Sequence, residues 1–100
     1  MMDNVDVAVL TKVNELAERY GLKSYDFVAV FRHDEKESFV LDFELPASGN
    51  GLREERYDKM LTAIGIAPNQ DSAVLNGDPD KIIDALDNAL EHAPRSRSRF

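Results

Sequence analysis

Tyr25-Asp26-Phe27-Val28-Ala29-Val30-Phe31-Arg32-His33-Asp34-Glu35-Lys36-Glu37-Ser38-Phe39-Val40-Leu41-Asp42-Phe43-Glu44-Leu45 decides the fold of this chain. Apolar residues at every second position, Tyr25/Phe27/Ala29/Phe31 and Phe39/Leu41/Phe43/Leu45, flank the charged group from His33 to Glu37. Strict alternation on either side of a polar tip reads as a β-hairpin, spanning 24–45, with one aromatic face. Four of the five phenylalanines lie in it, so it anchors the core.

Residues opposite each other in an antiparallel pair point to the same face, so paired numbers must sum to an even value. The expected register sets Phe31 against Phe39, Ala29 against Leu41 and Phe27 against Phe43. Its connection has odd length, either Asp34 to Lys36 or His33 to Glu37. On the second face this register sets Val30 against Val40, Val28 against Asp42, Arg32 against Ser38 and Asp26 against Glu44. That face is apolar in its middle and charged at its ends.

Outward from the hairpin, Val5, Val9, Val13, Leu16, Ala17 and Tyr20 form one helical stripe over 3–20, with Asp3 or Asn4 as cap and Gly21 as stop. The spacing of Tyr57, Met60, Leu61 and Ile64 predicts a helix over 53–64 that ends at Gly65, with Ile66 clasping Leu61. Ala73, Val74 and Leu75 read as a short buried strand over 72–76. Asp78 and Pro79 then open a helix over 79–93, which buries Ile82, Ile83, Leu86, Ala89, Leu90 and Ala93 and stops at Pro94.

The order is α-β-β-α-β-α, a two-layer α+β fold with a three-stranded sheet, mixed or antiparallel. A right-handed crossover would make the second and third strands parallel. Placing the third strand beside the first makes all neighbours antiparallel, and that is the preferred arrangement. Three strands span about 10 Å between outer axes and three helices nearly 20 Å, so two helices fit on one side. The third overhangs an edge, or the valines of the second face are covered by a helix or by another molecule. A mixed face left in water is the simplest reading, since isolated surface valines are normal and three of them bury little area.

The chain of 100 residues is expected to form one compact acidic domain over 1–94, followed by a disordered basic tail over 95–100. It has no cysteine, which excludes disulfides, thiolate catalysis and cysteine metal centres and fits a reducing compartment. With an acidic beginning and no long apolar run, the expectation is a cytoplasmic protein without membrane contact. Arg95, Arg97 and Arg99 contribute +3 to a net charge of −7, so the rest of the chain carries −10. Such a body repels phosphate backbones and favours basic partners.

No pattern for catalysis, a cofactor or a metal emerges. Asp26, Asp42 and Glu44 gather carboxylates suited to calcium or magnesium, but without ligand spacing, and solvated strand ends are the simpler reading. His33 beside Asp34 and Glu35 reads as a polar tip rather than a general base, and His92 as a partner for carbonyls at a helix end. Ser48-Gly49-Asn50-Gly51 has the glycines of an anion-cradling loop but no phosphate-binding signature, and Glu54 and Glu55 follow it.

The function expected is therefore a non-catalytic protein-interaction, adaptor or regulatory domain that binds itself or a basic protein. Val28, Val30, Val40 and Arg32 on the second sheet face are the candidate contacts. An acidic body that sequesters a basic or unfolded partner is one concrete form of this reading. A ligand or enzyme site between the sheet and the 46–51 loop is the alternative. Nucleic-acid contact through Arg95, Arg97 and Arg99 is a third, opposed by the charge of the body.

Overall fold

The computed structural model describes residues 4–33, 39–46, 51–67 and 73–94. The elements run α1 (Asn4–Arg19), β1 (Val28–His33), β2 (Phe39–Glu44), α2 (Gly51–Ile64), β3 (Ala73–Gly77) and α3 (Pro79–His92), the expected order. Both α1 and α2 stop as their glycines dictate. Gly21 (φ +79°) and Gly65 (φ +97°) adopt left-handed conformations. The amides of Leu22 and Ile66 then reach back to the Ala17 and Leu61 carbonyls, each at 2.9 Å, and those of Gly21 and Gly65 to the Glu18 and Thr62 carbonyls, each at 3.0 Å, so each helix ends in a Schellman cap. Asp78 sits at the N-cap of α3 with Pro79 behind it, but its side chain makes no capping bond.

The three strands form one antiparallel sheet in the order β1-β2-β3. The even-sum rule for the hairpin holds, with the register moved by two residues. Phe31 faces Leu41, Ala29 faces Phe43, and His33 faces Phe39, which leaves a five-residue connection outside the described residues. A shift of two preserves every face, so alternation alone does not distinguish the registers.

Two expectations about β3 are overturned. It pairs with β2 rather than β1, and antiparallel rather than parallel, setting Phe43 against Ala73 and Phe39 against Gly77. β3 therefore begins at the end of the sheet where β2 finishes, and α2 is an excursion that leaves and returns at that end. The handedness rule governs crossovers joining parallel strands and has no hold on this one. The central position goes to β2, with Leu41 and Phe43 buried in the core.

One face of the sheet, with Phe31, Leu41, Phe43 and Ala73, is buried against the helices in a core that includes Val9, Val13, Leu16, Met60, Ile82 and Leu86. α1 packs on β1, α3 packs on β3, and α2 packs against both of these helices. Lys12 bonds Asp87 at 2.6 Å and Arg19 bonds the Pro94 carbonyl at 3.4 Å, both 75 residues apart, so α1 and α3 run parallel. α2 is held at its start, where Arg53 donates to the Pro46 carbonyl, and by Arg56, which donates to the Gly21 carbonyl at 3.2 Å.

Candidate functional site: the open face of the sheet

Alternation along each strand leaves a second face that none of the helices covers. It carries Val28, Val30 and Arg32 from β1, Val40, Asp42 and Glu44 from β2, and Val74 and Asn76 from β3. Val28 and Val30 are 47% and 46% exposed, while Val40 and Val74 are partly buried among their neighbours. The valines do not line up. Val30 faces Asp42, which faces Val74, and Arg32 faces Val40, which faces Asn76. Arg32 reaches diagonally to Asp42 at 3.3 Å, closing an ion pair across the middle of the face.

The structure thus places the candidate contacts Val28, Val30, Val40 and Arg32 on one surface, with pairings different from those expected. Val28 is opposite Glu44, Val30 opposite Asp42 and Arg32 opposite Val40. Val74 belongs to the same face and was missed by reading Ala73-Val74-Leu75 as uniformly buried. The period-two rule was the available signal, since a strand that buries Ala73 turns Val74 outward. Arg95, Arg97 and Arg99 lie outside the described residues.

The carboxylates have other employment. Asp26 does not face Glu44; it precedes β1 and accepts a bond from the Lys23 amide at 2.8 Å, closing the turn into the strand. Asp42 holds Arg32. Among the described residues no group of three or more histidines, cysteines, aspartates or glutamates is arranged to hold a metal ion. His33 rests its ring 5.0 Å from that of Phe39, and His92 Nδ1 donates to the Asn88 carbonyl at 2.9 Å in the last turn of α3. Ser48, Gly49 and Asn50 of the glycine-rich loop lie outside the described residues.

Tyr57 is buried in the apolar layer, its ring 6.4 Å from that of Phe27. Burial first, then the negative charges of Asp58, Asp42 and Glu44, push its hydroxyl up to about 12. It is neutral at physiological pH and structural in placement.

Depressions elsewhere are poor sites. Next to Pro46, Gly21, Leu22, Asp26, Leu52, Arg53 and Arg56 line a hollow of about 80 Å³, well below the roughly 300 Å³ at which small-molecule pockets begin. A groove of about 440 Å³ between Tyr20 and the outer side of α2 is shallow and opens widely to solvent. No helix among the described residues is long and apolar enough to cross a membrane. Comparison with protein families, curated proteins and solved structures found no match for the chain.

Proposed function

We propose that this chain is a non-catalytic protein-interaction domain whose docking surface is the open face of its sheet. The observation that carries the reading is the exposure of Val28 and Val30, each nearly half open to water on a sheet whose opposite face is buried. Isolated surface valines are common, but here they share one rigid surface with Val40 and Val74, with the Arg32–Asp42 pair between them and Glu44 at one end. Apolar side chains mixed with charged ones match a non-obligate protein interface, which is about as apolar as the rest of a protein surface. The partner is a protein, either a second copy or a basic chain, consistent with a net charge of −7.

Nuclear magnetic resonance tests this reading. The ¹⁵N-labelled chain is concentrated alone and, separately, titrated with a synthetic peptide of alternating arginine and valine. Amide shifts at Val28, Val30, Arg32, Val40, Asp42 and Val74 in either series support it. Shifts in neither series, or shifts confined to the Tyr20–α2 groove, refute it.

A further inference from the structure

Three observations converge on the outer side of β1. First, among the described residues β1 is an edge strand that pairs only with β2, and no backbone bond joins its outer side to another described segment. Its sequence, Val28–His33, contains neither proline nor lysine, two of the devices that blunt edges. Second, the exposed Val28 and Val30 belong to this same strand.

Third, the helix above it has an apolar flank. α1 lies over β1 beside α3, with Lys12 and Arg19 turned toward α3. About half a turn around the helix, Val7, Leu10 and Asn14 follow one another at i, i+3 and i+7, so they face away from α3 and out past the edge of β1. Val7 is 51% exposed and Leu10 is partly so. Farther along, Asn14, Ala17, Glu18, Leu22, Lys23 and Ser24 line a hollow of about 270 Å³.

We infer that a second copy of this chain docks here, pairing β1 with β1 antiparallel about Val30 to make one six-stranded sheet. This goes beyond the interaction reading above: the second copy docks along the edge of β1 and leaves the open face itself uncovered. Opposed residues must share a face, and a register centred on Val30 satisfies that rule, setting Val28 across from Arg32 of the second copy. The two pairs of exposed valines become one continuous patch. A two-fold axis normal to the sheet also brings the two α1 flanks together over the new seam.

The layout of the exposed groups selects this occupant: the outer edge of β1, about 20 Å long, and the α1 flank lie side by side and must be covered together. A short peptide added to β1 would satisfy the edge and leave Val7 and Leu10 bare, whereas a second copy brings its own β1 and α1 and covers both. Each copy carries −7, so screening by salt strengthens this dimer, the opposite of its effect on a basic partner.

Sedimentation of the full chain at rising concentration, in low salt and in about 0.5 M salt, tests the inference. The mass should climb from 11.2 kDa toward its double, at lower concentration in high salt. Val7→Lys should raise the dissociation constant about tenfold or more, and Thr62→Lys, on the exposed outer side of α2, should leave it unchanged. Circular dichroism checks that each variant is folded; independently, oxidised Val30→Cys should form a symmetric disulfide in this cysteine-free chain while Val40→Cys does not. A monomer at every concentration overturns the inference, as does a dimer broken by Val40→Lys and indifferent to Val7→Lys. If the chain stays monomeric while the arginine-valine peptide still moves the open-face amides, the dimer falls and the interaction domain stands.

Discussion

Val30 stands directly across the β1–β2 ladder from Asp42, and Asp42 directly across from Val74. A carboxylate thus sits between two outward valines in the middle of the open face, and Arg32 neutralises it from the next row at 3.3 Å. The pair is about half exposed and contributes roughly 0–1 kcal/mol, as surface ion pairs do. Arg32→Met should change the urea midpoint little, by less than about 1 kcal/mol in unfolding free energy. A larger loss would show that the open face is structurally committed rather than held available.

The opposite face should answer very differently. Leu41 is fully buried and Phe43 is 2% exposed, with its ring 6.4 Å from that of Phe27. Leu41→Ala or Phe43→Ala should cost about 3–5 kcal/mol, through lost transfer energy and the cavity left behind. Val28→Thr should cost less than about 0.5 kcal/mol, as surface changes usually do. Urea unfolding of these variants measures the asymmetry between the faces of the sheet.

Gly21 should be less replaceable than Gly65, although both are left-handed caps. A Cβ at Gly21 would lie 3.1 Å from Arg56 Cζ, whereas one at Gly65 meets nothing within 4 Å. Gly65→Ala carries the conformational strain alone, about 1–2 kcal/mol. Gly21→Ala should exceed it, because the Arg56 guanidinium must shift from its bond to the Gly21 carbonyl. Equal losses in thermal or urea unfolding would contradict that role for Arg56.

Tyr57 predicts alkaline sensitivity. Its folded pKa of about 12 exceeds the ordinary 10.0, so between those values the folded state holds a proton that the unfolded chain releases. Its contribution is therefore full below pH 10 and is lost as pH rises toward about 12. Tyr57→Phe should flatten this part of the stability profile while leaving stability near neutral pH little changed. An unaltered alkaline slope in the variant would remove Tyr57 as its source.

Much of this architecture was legible in the residues because short-range chemistry enforces it. The α1 stripe ending at Gly21, the Gly65-Ile66 clasp and the Asp78-Pro79 start each act within a few residues, and the hairpin's even-sum pairing follows from the pleat. The register was not legible, since sums of 70 and 72 bury the same side chains and differ only in the connection. Nor was the position of β3, because Ala73 and Leu75 meet the core beside either hairpin strand. The open face was foreseen through Val28, Val30 and Val40, but its layout was not, because the row containing Asp42 and Val74 depends on both unknowns.

Hydrogen exchange at the β1 amides, followed against protein concentration, tests the central claim most directly. If β1 is the seam between two copies, its outward-facing amides, which bond no other segment among the described residues, should gain protection as concentration rises while those on the outer edge of β3 stay fast. Exchange at β1 that is indifferent to concentration, or protection that appears at β3 instead, would contradict the account.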